Sequence, residues 1–326
     1  MIEWAQAIKS KVHSTAFPLM TYPGLPLINK TITEMVTSGE IQFRCIEALV
    51  ERFPLMPATP MSMDLSLEAE AFGSKVIFAD HSVPTISERV IHNNQDIETL
   101  QLPEPNTPRL KEFIKAAQLT VDANFGKPVF TGCIGPYSLA GRLMDITEIM
   151  TGILMYSEEI HLLLQKTTQF IINYLNELKK TGVNGVVIAE PASGLLAAEE
   201  CDEFSSKYIK QIVDEVQTDY FMVMLHNCGN TETLVDSMVS TGAMAFHFGN
   251  AVEMQNILPQ IPSDRLALGN IDPANTIKTG TPESIKAEIN LLREKTKAFS
   301  NFILSSGCDI PPGTPFENID AFFQPF

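Results

Sequence analysis

Cysteine is scarce in this chain and odd in number: five among 326 residues, without the spacing of a disulfide framework. That excludes a small disulfide-stapled scaffold and points to reduced thiols in a cytoplasmic setting. Basic residues are also in short supply, 23 Lys and Arg against 39 Asp and Glu, for a formal charge of −16. A surface so acidic repels phosphate backbones, which argues against a nucleic-acid partner. No run approaches the roughly 20 apolar residues a membrane helix needs. The opening Met1-Ile2-Glu3-Trp4 starts no signal-peptide core. No membrane association is expected. A Gly-rich phosphate fingerprint after the first predicted strand is missing too, so a dinucleotide-binding open sheet lacks its usual signature.

What is present is a large apolar fraction, 44%, enough for a sizeable core. Short apolar runs alternate with helix-period segments. The predicted strands are Phe17–Thr21, Met61–Asp64, Pro128–Cys133, Gly185–Ala189, Tyr220–His226, Ala243–Phe248, Arg265–Gly269 and Phe302–Ser305. Between them lie predicted helices at Ile160–Lys179, Ser205–Val216, Glu232–Ser240 and Glu283–Phe299. In the first, Leu163, Ile171, Leu175 and Leu178 form one apolar stripe. Thr314-Pro315-Phe316-Glu317 and Thr281-Pro282-Glu283 each read as a capped helix start with Pro at the first helical position. About eight strand–helix units imply a parallel sheet, and that number favours closure into a (β/α)8 TIM barrel, of α/β class, over an open doubly wound sheet. Residues 1–326 are expected to form a single barrel catalytic domain with a short N-terminal extension. Polar residues 81–110 read as an excursion between barrel units.

The sharpest chemical signal is Leu225-His226-Asn227-Cys228-Gly229, taken with Ser306-Gly307-Cys308-Asp309. Residues two apart on a strand share a face, so His226 and Cys228 stand side by side. Cys308 follows another predicted strand and supplies a third donor. One His and two Cys suit zinc, and three protein ligands leave a position for substrate. The competing reading is a His and two unrelated Cys packed in a core. Barrel placement favours the site, because chemistry in this fold gathers at the C-terminal strand ends. His226 and Cys228 end the fifth strand, Cys308 follows the eighth, Glu190 ends the fourth, Asp64 ends the second, and Asn270 and Asp272 follow the seventh. His247, among apolar neighbours, reads as a satisfied core histidine. Asp272 reads as a cap before Pro273. Cys45, Cys133 and Cys201 read as small packing residues, and most of Met20, Met61, Met63, Met222 and Met224 as core.

Four stretches carry a resemblance: Gly135-Pro136-Tyr137-Ser138-Leu139-Ala140; Gly185–Pro191 followed by Phe204–Val216; Leu268-Gly269-Asn270-Ile271-Asp272-Pro273; and Gly313-Thr314-Pro315-Phe316-Glu317-Asn318. Over nearly its whole length the chain resembles the uroporphyrinogen decarboxylase superfamily, whose members are single (β/α)8 barrels. True decarboxylases carry an early Arg-Gln-Ala-Gly-Arg-Tyr motif for substrate carboxylates. Here the region reads Met20-Thr21-Tyr22-Pro23-Gly24-Leu25-Pro26, with no Arg. Where those enzymes have a His before the Pro-rich turn, this chain has Cys308. Only Asp64 matches their porphyrinogen-binding aspartate.

The other branch is similar in a more specific way. Zinc-dependent corrinoid methyltransferases of the methylcobalamin:coenzyme M type carry His-x-Cys and a distant Cys, matched here by His226, Cys228 and Cys308. The resemblance implies a methyltransferase in which Zn²⁺ activates an acceptor thiol and methylcobalamin, a corrinoid, serves as transient methyl donor. It implies a corrinoid carrier protein and a small-molecule methyl acceptor as partners, since the chain has no Asp-x-His-x-x-Gly cobalamin motif. Glu190 is then a resting fourth ligand, a carboxylate that orients His226, or a carboxylate bonded to backbone at the rim, and Asp64 either a substrate group or a structural one. A metal-free decarboxylase and a non-catalytic zinc- or corrinoid-binding barrel are the alternatives.

Overall fold

The computed structural model describes residues 1–323. Its strands are β1 (Lys75–Ala79), β2 (Ser82–Glu88), β3 (Phe130–Ile134), β4 (Gly185–Ala189), β5 (Met222–Asn227), β6 (Ala245–Phe248), β7 (Leu266–Ile271) and β8 (Phe302–Ser306). Strands β3 to β8 pair in sequence order, all parallel. Both faces of these strands are covered, which is why they read as near-continuous apolar runs such as Val186-Val187-Ile188 and Met222-Val223-Met224, all fully buried.

The ring closes through two extended segments that carry no regular ladder. Ala16 bridges Leu304 of β8, and Phe17 N donates to Leu304 O at 2.8 Å. On the other side Thr59 N donates to Pro128 O at 2.9 Å, just ahead of β3. Full strands were expected at Phe17–Thr21 and Met61–Asp64, and neither forms one. Pro18 and Pro60 explain it, since neither has an N–H to give a ladder. The architecture is the expected α/β barrel, with six laddered staves and two irregular ones.

Residues 81–110 are more ordered than an excursion. Their start pairs as β2 with β1 in an antiparallel hairpin, and Asn93 then caps a helix at Asn94–Thr99. The hairpin escapes a pattern reading because most of its positions are exposed and Pro84 interrupts it. The predicted helix Ile160–Lys179 runs Ser157–Lys180, with the Leu163, Ile171, Leu175 and Leu178 stripe buried. Thr281 caps Pro282–Thr296, accepting from Ser284 N. Thr314 does not cap: Pro315 takes that place before Phe316–Asp320, while the Thr314 hydroxyl donates to Pro311 O. Among the described residues no helix is long and apolar enough to cross a membrane.

One buried acid sits in this frame without an ion pair among the described residues. Glu68, in the short helix Leu67–Ala71, is fully enclosed; one oxygen accepts from Ile134 N at 3.2 Å and the other has no partner. Burial pushes its carboxyl up to about 8 from 4.5. Between those values the folded chain holds a proton that the unfolded chain releases, so Glu68 makes stability fall as pH rises from about 4.5 to about 8. Glu68→Gln keeps the acceptor for Ile134 and removes the titration. Thermal melts from pH 5 to 8 should show the variant gaining on the wild type by roughly 3 kcal/mol. Parallel curves would place the proton elsewhere.

Candidate metal centre

Strand β5 carries His226 and ends one residue before Cys228. In register, His226 lies between Ala189 of β4 and His247 of β6. Alternation sends Asn227 the other way, where its amide donates to Glu190 O at 2.8 Å and Ser193 Oγ at 2.9 Å and accepts from Gly229 N at 2.8 Å. That anchor holds the strand end so that His226 and Cys228 face the same side. The backbone of Cys228 packs on Gly249, where a Cβ would come within 2.5 Å of it, so the approach requires glycine. Cys308 arrives from the turn after β8. The turn is pinned by Gly307 N to Ile271 O at 2.7 Å, by Ile310 N to Leu19 O at 2.9 Å, and by Thr21 N to the Asp309 carboxylate at 2.8 Å.

One ligand atom from each of His226, Cys228 and Cys308 lies within 4.8 Å of the others, and Cys308 Sγ is 3.7 Å from His226 Nε2. His226 is buried, whereas both cysteines are partly open. One imidazole nitrogen and two sulfurs form a soft donor set that fits zinc, with solvent-side room beyond the sulfurs. The Cys308 thiol and then His226, both hydrogen-bonding to Cys228, hold its thiol well below the ordinary value, while Cys228 beside it raises Cys308. The remaining cysteines contrast sharply. Burial pushes Cys45 up to about 12 and Cys201 up to about 11, and raises Cys133 as well. All three pack in the interior as small apolar residues.

Glu190 stands apart from this cluster. Its carboxylate accepts from Tyr137 N at 3.0 Å and Ser138 N at 2.6 Å, at the N-terminus of the helix Pro136–Met144. It packs so closely on Gly135 that a Cβ there would meet Oε2 at 2.4 Å. Burial raises the carboxyl to about 7 against the pull of those amides. These are backbone contacts at the rim, and the Glu190 carboxylate is not among the ligand atoms gathered within 4.8 Å of one another. Asp64 does reach the cavity, but its oxygens are taken by Ser66 N, Ser66 Oγ and the Arg109 guanidinium. Arg109 also holds Glu70 at 2.8 Å and Val36 O at 3.1 Å. This buried arginine, at the start of the helix Pro108–Asp122, had no signal in the sequence. His247 is fully buried and satisfied, as expected, but its partner is His226 itself, Nδ1 to Nδ1 at 2.8 Å. Burial, then His226, push His247 well below the ordinary histidine value. Asp272 caps the turn after Pro273 through Ala274 N and Asn275 N, and Asn270 holds Gly249 O and Val252 O.

The three donors line a cavity of about 190 Å³. Leu19, Met63, Leu65, Val83, Pro84 and Pro191 supply apolar walls, so the unforeseen hairpin encloses the site through β2. Tyr22, Asp64, Arg142 and Asp309 supply the polar edge. Burial raises Asp309 to about 7. Met20, Met61, Met222 and Met224 belong to the core and only Met63 of that set faces the cavity. A larger groove of about 610 Å³ runs outside β7 against the helix Pro282–Thr296, but none of the three donors reaches it.

Comparison with known proteins agrees with the barrel fold. Residues 26–325 match the family described as Uroporphyrinogen decarboxylase (URO-D). A methylcobamide:CoM methyltransferase of Methanosarcina mazei is 27% identical over 273 residues, covering 82% of this chain and 78% of the relative. A uroporphyrinogen decarboxylase of Prochlorococcus marinus is 30% identical over 250 residues, covering 73% and 70%. In three dimensions the fold superposes on a methyltransferase from Methanosarcina mazei with a TM-score of 0.86 at 20% identity, over 98% of this chain and 95% of that one. A B12-independent methionine synthase from Shewanella shares the fold more loosely, with a TM-score of 0.60 at 13% identity over 96% of each chain.

The donor set predicts one zinc per chain. Elemental analysis of a Cys228→Ala, Cys308→Ala double variant should show near-complete loss of the metal. Stoichiometric zinc in that variant would move the site elsewhere.

Proposed function

The chain belongs to the uroporphyrinogen decarboxylase family, and within it we propose that it is a methyltransferase, moving a methyl group from a methylated corrinoid on a carrier protein to a small thiol such as coenzyme M. One observation carries the reading: a nitrogen and two sulfurs gathered within 4.8 Å at the mouth of the barrel. His226, Cys228 and Cys308 would hold zinc there. When bound, the metal would draw the proton from an acceptor thiol that is otherwise mostly protonated at neutral pH. Two thiolates and a neutral imidazole would balance the ion's charge and so leave an acceptor sulfur electron-rich.

The rest of the cavity suits that task. Apolar walls from Leu19, Met63, Leu65 and Pro191 strip water from the sulfur. At about 190 Å³ the space takes a small acceptor and leaves a corrin macrocycle outside. The donor must therefore present its methyl group at the mouth, which is consistent with delivery by a carrier. A methylated corrinoid would supply the methyl group to the acceptor sulfur and keep the carbon–cobalt bonding pair, its cobalt passing from (III) to (I). Arg142 lines the cavity and forms no ion pair among the described residues, so it offers a counter-charge to an acidic group on the acceptor. Glu190 and Asp64 act here as positioning groups. The Glu190 backbone pairs with His226 O at 2.9 Å while its side chain fixes the neighbouring helix, and Asp64 holds the wall through Arg109.

Decarboxylation of a tetrapyrrole fits less well. Residues Met20–Pro26 contribute Tyr22 and no arginine to the cavity, and Arg109 is committed to Asp64 and Glu70. Purified protein should consume free methylcobalamin in the presence of a thiol panel and release the matching methyl thioether. Cys228→Ser should slow that reaction by about a hundredfold or more, within the range seen for lost transition-state electrostatics. Coproporphyrinogen formed from uroporphyrinogen, with no thioether, would favour the decarboxylase; neither product would favour a binding barrel.

A further inference from the structure

We propose that His247 and Ser305 are positioning residues: a one-way hydrogen-bond chain ending on the Phe17 carbonyl locks His226 in the tautomer that offers Nε2 to the two cysteines. The inference rests on the proposed metal site and adds how its imidazole is aimed.

The direction follows from the far end. A carbonyl oxygen can only accept, so Ser305 Oγ–H donates to Phe17 O, 2.7 Å away. That uses the single hydroxyl proton. Ser305 Oγ must then accept from His247 Nε2 at 2.8 Å, which makes Nε2 the protonated nitrogen of His247. A neutral imidazole has one N–H, so His247 Nδ1 carries a lone pair. His226 Nδ1 lies 2.8 Å from it and must donate, reaching the His247 carbonyl at 3.2 Å with the same proton. His226 Nε2 is therefore the free lone pair, and it is the nitrogen that faces Cys308 Sγ at 3.7 Å.

The chain is dry and rigid. His247 and Ser305 are 0% exposed and His226 only 3%. Its members sit on β5, β6, β8 and the first irregular stave, so the closed barrel itself keeps them in line. Partners that fix a ligand histidine's tautomer are most often carboxylates or carbonyls. Here the His247 carbonyl at 3.2 Å is one acceptor, and the His247 ring nitrogen at 2.8 Å is a closer one. The direction of that closer bond is set by the Phe17 carbonyl two hydrogen bonds further on. A histidine pair that merely satisfied buried polar atoms would need neither the order of donors nor Ser305.

Nitrogen-15 histidine spectra of the zinc-free wild type, taken at about pH 8 where histidine is ordinarily neutral, read the tautomers directly. His226 should be protonated on Nδ1 and His247 on Nε2. The opposite tautomer at His226 overturns the proposal without any variant. Zinc affinity, measured by competition with a chelator, should fall about 10- to 100-fold in His247→Leu. His247→Gln, whose Oε1 can accept from His226 and whose amide can donate to Ser305, should restore affinity to within a few-fold. Ser305→Ala, a milder change if the Leu variant folds poorly, should yield mixed tautomers and an intermediate affinity. Wild-type affinity in both His247→Leu and Ser305→Ala would contradict the proposal. If the wild type bound no zinc, the metal reading would fail, while the nitrogen spectra would still decide the tautomer chain.

Discussion

Two sulfurs and one nitrogen held within 4.8 Å at the end of a closed ring of strands are the constraint on which the rest of the mouth depends. Two partly exposed thiols beside an imidazole have little reason to meet in a protein that only packs. Here strand alternation turns His226 and Cys228 inward, Gly249 lets the backbone of β6 approach Cys228, and the ladder from β5 through β8 brings Cys308 alongside. The ring must close for this to happen. Its two proline-bearing staves do so by a few hydrogen bonds in place of full ladders, and one of them also supplies the Phe17 carbonyl that ends the histidine chain.

Carboxyl groups near the site are handled in different ways, and the difference separates support from chemistry. Asp64 is neutralised by Arg109, Glu190 is spent on helix amides, and Glu68 is buried with one oxygen unpaired. None offers a free carboxylate to the cavity. What remains there is a soft donor set, an apolar enclosure, the Arg142 guanidinium and the Asp309 carboxyl, which accepts from Thr21 N and which burial raises to about 7. That combination suits a small acidic thiol better than a substrate with many carboxylates, which needs several cations. On the proposed function a corrin would have only to reach the mouth, which fits a cavity of about 190 Å³.

The order of strands and helices was legible because both barrel layers bury their apolar residues at regular periods. Gly185–Ala189 was placed to the residue, and the other laddered strands to within a few positions. His226, Cys228 and Cys308 were legible because strand alternation and barrel topology act on sequence spacing directly. What escaped depends on contacts between distant residues. Whether Pro18 and Pro60 permit a ladder is decided by the neighbouring strand. The β1–β2 hairpin has a mostly exposed pattern, so no hydrophobic alternation marks it. The Glu190 carboxylate can turn toward the metal site or the helix amides, and only the packing of Gly135 decides. For His247, the sequence shows a histidine among apolar residues but not that its partner is the histidine one strand away.

The central claim is that an acceptor thiol completes the coordination begun by His226, Cys228 and Cys308. X-ray absorption at the zinc edge, on protein loaded with zinc and without thiol, should show two sulfur neighbours, the rest being nitrogen or oxygen. Adding a thiol that this protein demonstrably methylates should raise the sulfur count to three. A shell unchanged by that thiol would contradict the account, because the sulfur would then be activated somewhere other than at these three residues.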